Sequence, residues 1–557
     1  MFGFLISQSK DLTDPLQSPR TTAVWLQRLP PLDVFARQEH VLRAFEAMRQ
    51  SGRAPDPQRV SAIQFLDAAL GADRRQLLNQ YFETLDGSPR LAERLWQASL
   101  ELTQSFATGY RTVVQHALSH AGSARWRPAL PLMLARLIHY CGTDAKLRVF
   151  RFERWIPAKW TELHDLYRRA SELGVESVPT ILGNAGSDTT RWTVEQEYVF
   201  ALLIHQLNTG NLSPEQFDWA CAQFRVWCRR LALTKVPQAA DGFVVDLAGK
   251  TGLARRAGHE PGPTIRFLDT APLAAQLEGA LQMLRSAERT DEGAAAQVDR
   301  ERIAILEKVR SAVAPSVNAE LRRDPRVAVR LPAKVRIGLA RICTEFAAGA
   351  EEKVPELGAG SEEIEIYAVM PGSRGHGAAG NGSMALPSAS DPLWQVRDRS
   401  VAGLRIAASG DVGQNLALAA LVAVRPADAT DWVLGIVRRL QKRPNGEVEA
   451  GIAIVAEQPV AVTLYAKREA KEDMGYVVDG IDLSTLGKRF AGLYLPASSP
   501  LSIRTLIVPS SEYAEGREVI LDSGPSVYTI RLRHVVEQCA DWCQVAIQTV
   551  AKQPKEG

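Results

Sequence analysis

Trp432-Val433-Leu434-Gly435-Ile436-Val437-Arg438-Arg439, with Gly451-Ile452-Ala453-Ile454 downstream of it, decides the fold of the C-terminal half. Short β-branched runs of this kind, bounded by turn formers, make antiparallel strands rather than helices. The same texture runs back through Leu421 to Val424, Glu363 to Val369 and Lys334-Val335-Arg336-Ile337, and it sets in at Pro315. An antiparallel barrel or sandwich is therefore expected there. Gly372 to Pro387 is rich in Gly, Ala and Ser and has no helical period, which marks a loop.

Upstream the period changes. From about Pro30 to Leu233 apolar residues recur at helical spacing, as in Leu91, Leu95, Ala98, Leu102 and Phe106, or Leu130, Leu134, Leu137, Ile138 and Cys141. Ser213 with Gln216 three residues on predicts a capped helix start. Phe243 to Leu247 and Thr264 to Leu268 read as two strands, after which Ala271 to Leu284 and Val298 to Val313 return to helix. No clean repeat supports a solenoid. The expected fold class is α+β multidomain: an all-α region over 1–235, strands and helices connecting over 236–315, an antiparallel barrel over 316–465 with an insertion near 341–390, and a further β-rich segment over 466–557, packed on the barrel and including Tyr528 to Leu532 and Val545 to Val550.

Composition excludes several function classes. With 46% hydrophobic and 23% charged residues the 557-residue chain is of soluble, multi-core type. A net charge of +3, from 66 basic and 63 acidic residues, argues against a surface built to coat nucleic acid. Six scattered cysteines fit a reducing compartment. Met1 to Ile6 is too short for a signal-peptide core and no run reaches the ~18 apolar residues of a membrane span, so a cytoplasmic location is expected.

Two short patterns carry chemistry: Arg322-Arg323-Asp324-Pro325-Arg326, and Asp398-Arg399-Ser400-Val401-Ala402-Gly403. A guanidinium fork matches both phosphate oxygens and the O6/N7 edge of guanine. A carboxylate accepts from guanine N1–H and N2–H, a serine adds a small hydroxyl, and glycine permits a turn or close approach. Pro325 disfavours helix at Asp324 and places the arginines on an extended lead-in. Asp-x-Ser-x-x-Gly is also ordinary turn composition, so it gains weight only beside the arginines.

Together the two patterns resemble the signature of PilZ domains: arginine, three residues, arginine, then Asp or Asn, any residue, Ser, two residues and Gly. The order of the strands after Gly413 is similar as well. The resemblance covers roughly Leu321 to Val460 and implies a barrel that binds cyclic di-GMP, with Arg322, Arg323, Arg326, Asp398, Ser400 and Gly403 as ligand-binding residues. It implies a non-enzymatic effector with no cofactor beyond that ligand. It also implies a protein partner in motility, pilus or polysaccharide control. A degenerate barrel acting only as a protein-interaction module is the alternative. Two departures stand out. Arg326 and Asp398 lie 72 positions apart, an insertion that could displace the arginines, and Arg330 repeats the arginine spacing.

Other signals point to packing. Gly249-Lys250-Thr251 lacks the earlier glycine of a phosphate loop, having Val244 there. Gly375, Gly377 and Gly380 are not followed by a helix. Cys539 and Cys543, adjacent if helical, have no second pair for zinc. His139 and His205 read as core histidines, and Arg151, Arg154, Trp155, Lys159 and Trp160 as a helix end with arginine stems over packed tryptophans rather than a nucleic-acid face. No catalytic arrangement and no metal site is expected.

Overall fold

The computed structural model describes residues 14–554 except 31–32, 86, 121–124, 182–190, 239–241, 257, 291–293, 316–324, 350–393, 410–415, 458, 468–476, 479–480, 483–485, 498–502 and 523–525. It divides into two units, 1–319 and 320–557. The architecture is α+β multidomain, with helices concentrated in the first unit and antiparallel barrels in the second.

Helix starts in the first unit are written into the sequence. Ser18, Thr193 and Ser213 each close a capping box with Thr21, Gln196 and Gln216, and Pro19, Pro57, Pro89, Pro157 and Pro214 sit in first turns where a missing N–H is harmless. The longest described helix, Pro89–Ser119, buries a stripe from Leu95 through Phe106 to Ala117 against Leu130–Val149, which in turn packs on Val194–Leu207, so that one apolar core runs through the unit. The strands foreseen at 243 and 264 form as Phe243–Asp246 and Ile265–Leu268, paired antiparallel within a four-stranded sheet. The helices after them run Ala271–Thr290 and Ala294–Val313.

Inside this core sits an ionic cluster. Asp67, fully buried, accepts from Tyr110 Oη at 2.8 Å, from Tyr140 Oη and from Arg74 Nη2 at 2.8 Å, and pairs with Arg136 Nη1 at 3.1 Å. Burial alone would raise its carboxyl; the two guanidiniums and two phenols outweigh that and hold it below the usual range.

The second unit holds two closed six-stranded barrels. The first orders its strands Leu421–Pro426, Val433–Lys442, Val448–Ala456, Gly403–Ala408, Trp394–Ser400 and Val327–Ile337, the last pairing back to the first. Trp394, Val396, Leu404, Ile406, Val448, Ala450 and Ile452 alternate into its interior, while Gln395, Arg405, Glu449 and Gly451 between them face outward. The strands beyond Val460 do not extend this barrel. Val460–Lys467, Leu486–Leu495, Thr505–Pro509, Trp542–Pro554, Ser526–Gln538 and Glu518–Asp522 close a second one. A helix, Leu339–Gly349, fills part of the expected 341–390 insertion; 350–393 lies outside the described residues.

The barrels share a core. Ile342 and Cys343 of that helix, Leu421 and Ile436 of the first barrel, and Leu493, Ile507 and Trp542 of the second pack together. Ala419 carbonyl accepts from Trp542 Nε1 at 3.2 Å and from Cys539 Sγ at 3.4 Å. Cys539 and Cys543 therefore belong to a strand hairpin rather than a helix, and both are free thiols.

Candidate functional site

Antiparallel register overcomes the long separation in sequence. Val327 pairs with Arg399 and Ala328 with Asp398, which sets Arg326, immediately before that strand, beside the carboxylate. Arg326 Nη1 donates to Asp398 Oδ1 at 2.7 Å, so the insertion leaves this arginine in place. On the other flank Asp398 pairs with Arg405 across the neighbouring strand, and Arg405 Nε lies 2.7 Å from Asp398 Oδ2, an ion pair outside hydrogen-bond alignment. Asp398 is thus a nearly buried carboxylate whose two oxygens each face a half-exposed arginine. The sequence reading took it as a free acceptor; here its acceptors are already engaged.

Ser400 and Gly403 pair at the end of the same hairpin, with Val401 and Ala402 as the turn between them. Ser400 Oγ reaches the Gly403 carbonyl at 3.4 Å, a weak contact that leaves its hydroxyl available. Gly403 is required by close approach: a Cβ there would lie 2.6 Å from the Ile452 carbonyl oxygen. Its φ is not in the left-handed region, so the tight-turn reason for glycine does not apply. Arg322 and Arg323 lie outside the described residues.

Spacing alone did not find what adjoins this group. A cleft of about 540 Å³ opens on the outer face of the first barrel, lined by Arg330, Arg397, Arg405 and Arg443 with Glu447 and Glu449. Arg397 Nη2 bonds Glu447 Oε1 at 2.5 Å, and Arg443 Nη2 lies 2.8 Å from Glu449 Oε1. Arg330, left ambiguous by sequence, lines this cleft and does not touch Asp398 through any pairing among the described residues. The sequence signal was alternation: Arg397, Arg405 and Glu449 occupy outward positions of neighbouring strands, and Glu447 lies in the turn just before the last of them.

The remaining polar groups of the first unit behave as packing. His139 is half-buried against the buried Glu197, and His205 packs edge-on to Trp160 at 4.9 Å with burial and then Arg154 pushing it down to about 4. Trp155 and Trp160 are buried, Trp155 Nε1 donating to Asp144 at 3.0 Å. Among the described residues no three His, Cys, Asp or Glu could hold a metal, and no helix is long and apolar enough to cross a membrane.

Comparison with known proteins bears on the other unit. Residues 20–238, less than half of the chain, match the family model described as the N-terminal domain of the cyclic-di-GMP receptor FimW. No curated protein matches the chain.

Proposed function

We propose that the chain is a non-enzymatic effector that binds cyclic di-GMP on its first barrel, which we read as a PilZ domain, and passes the signal to a protein partner. The observation that carries this reading is the Arg326–Asp398 pair: the last residue of the first motif and the first residue of the second meet at 2.7 Å on the first barrel. The match of residues 20–238 to a cyclic-di-GMP receptor's N-terminal domain supports the same ligand independently of those motifs.

Magnitudes favour exchange over a locked pair. Arg326 is 44% exposed, and partly exposed ion pairs are worth only about 0–1 kcal/mol. A guanine edge offering N1–H and N2–H to Asp398 replaces the lost donor, while the released guanidinium turns to a phosphate or stacks on a base for about 0.5–2 kcal/mol. Asp398 keeps Arg405 throughout, so its charge never stands uncompensated.

The signal is proposed to travel through the junction. Arg255 Nη2 holds the Ser311 carbonyl at 2.9 Å and Nη1 the Pro315 carbonyl at 3.1 Å, anchoring the end of the Ala294–Val313 helix in the first unit. Ligand that gathers Arg322, Arg323 and Arg326 onto the barrel restricts the chain between this anchor and Val327 and changes the units' relative orientation or the partner surface. A full shift from 1:99 to 99:1 needs about 5.5 kcal/mol of differential affinity. Cytoplasmic action in motility, pilus or polysaccharide control accords with such a switch.

The second reading, a barrel that only docks proteins, draws on the fact that both Asp398 oxygens are engaged without ligand. Equilibrium binding of labelled cyclic di-GMP to the full chain separates the two. Saturable binding competed by unlabelled ligand supports the first; no binding at millimolar ligand leaves the second.

A further inference from the structure

We infer that the arginine-lined cleft beside Asp398 seats the second guanine of the same ligand, with Glu447 and Glu449 at its floor reading the Watson–Crick edge. This rests on the reading of the barrel as a cyclic di-GMP site and adds residues that neither motif contains.

Symmetry of the ligand poses the requirement. Two identical bases call for two places of the same chemistry, and Asp398 with its arginines provides only one. The cleft repeats that chemistry two strands further round: Glu447 paired with Arg397, Glu449 with Arg443, and Arg443 Nε 3.8 Å from Glu447. The two places are contiguous, because Arg405 both flanks Asp398 and lines the cleft, and Arg397 is the next residue to Asp398 in its strand.

The arrangement suits guanine rather than adenine. Glu447 and Glu449 are sunk to 13% and 11% exposure while Arg443 is 47% exposed, which places acceptors at the floor and a movable donor at the rim. A carboxylate at the floor takes guanine N1–H and N2–H together, whereas adenine presents an acceptor at N1. Guanidinium forks at the walls match O6 and N7, and adenine's N6 amino group would oppose them. Arg397 Nε is buried with no hydrogen-bond partner among the described residues, so one donor in the wall already awaits an acceptor.

Charge fits as well. Arg326, Arg330, Arg397, Arg405 and Arg443 stand against Asp398, Glu447 and Glu449, leaving two positive charges over, the number needed by two phosphodiesters. The volume of about 540 Å³ lies within the ~300–1,000 Å³ of small-molecule sites, and the cleft's charged lining suits a polar, anionic guest. The Arg443–Glu447 turn that carries this floor is fixed by Gly446, whose φ of +79° a side chain would strain, and by the Arg443 N–H to Glu447 carbonyl bond at 2.8 Å.

The test is titration of the full chain with cyclic di-GMP and with its inosine counterpart, which lacks the N2 amino group. Wild type should prefer the guanine ligand by about tenfold or more for each base read by a carboxylate. Glu447→Gln and Glu449→Gln should reduce that preference by about tenfold in one or both variants, with unchanged melting temperature, and Arg443→Ala should weaken both ligands. Unchanged preference in both glutamine variants, with the whole of it lost in Asp398→Asn, overturns the inference while leaving the proposed ligand in place. Binding of neither ligand by wild type overturns both.

Discussion

Arg326 Nη1 sits 2.7 Å from Asp398 Oδ1 although 72 residues separate them in the chain. The Val327–Arg399 and Ala328–Asp398 register makes that contact a property of the barrel rather than of the intervening segment. Shortening 350–393 should therefore leave ligand affinity within about threefold of wild type, measured by calorimetry. A loss of a hundredfold would mean that the segment itself builds the site.

Replacement of Arg326 by alanine removes a charge-assisted contact and should cost about 1.5–3 kcal/mol of ligand binding, with little change in melting temperature because Arg326 is half exposed and Asp398 keeps Arg405. Arg330→Ala should weaken binding less, since Arg330 lines the cleft and is not paired with Asp398. Equal affinity for wild type and both variants would remove the arginines from the site.

Gly403→Ala places a Cβ 2.6 Å from the Ile452 carbonyl oxygen, and the strands must part to admit it. We expect about 1–3 kcal/mol of destabilisation, read as a lower denaturant midpoint. Ser400→Ala loses only a 3.4 Å contact and should leave the midpoint within about 0.5 kcal/mol. Equal midpoints for wild type and Gly403→Ala would show that the hairpin yields without cost.

Much of this was legible beforehand. The switch from period 3.6 to short β-branched runs located the change from helices to barrels, and the capping pair Ser213 and Gln216 located a helix start to the residue. Three things were not legible. The closure of residues 460–554 into a separate barrel depends on pairings such as Thr505 with Ala546, whose sequence separation carries no local signal. The reason for Gly403 is the backbone of Ile452, a residue on another strand. The cleft is assembled from outward positions of neighbouring strands and from the 443–447 turn, and each of its charged residues reads alone as a solvated charge.

Acid should loosen the first unit in an order set by its buried groups. His205, held down to about 4 chiefly by burial, stays neutral in the fold but protonates near its ordinary 6.5 when unfolded. Its contribution is complete above pH 6.5 and is lost as pH falls from there to about 4, by roughly 3 kcal/mol at 1.4 kcal/mol per unit. Glu197, where Arg225 and His139 overcome the burial penalty and bring it to about 2, acts in the next window, between 4.5 and 2. Denaturant midpoints measured against pH for His205→Phe should be flatter between 6.5 and 4 than those of wild type; parallel curves would contradict this.

Trp542 is fully buried in the core the two barrels share and donates to the Ala419 carbonyl. Trp542→Ala should cost about 3–5 kcal/mol and lower the unfolding of both barrels together. Selective loss of the second barrel alone, seen by limited proteolysis with product sequencing, would show that the shared core does not couple them.

Amide hydrogen exchange of the full chain with and without saturating cyclic di-GMP tests the central claim most directly, because it reports where the ligand sits. Protection is expected across 322–330, in the hairpin from Asp398 to Arg405, at 443–449, and more weakly at the Arg255 anchor's partners at 311–315, with residues 20–238 unchanged. Protection confined to 20–238, with the barrel's exchange unaltered, would place the ligand in the helical unit and contradict the assignment.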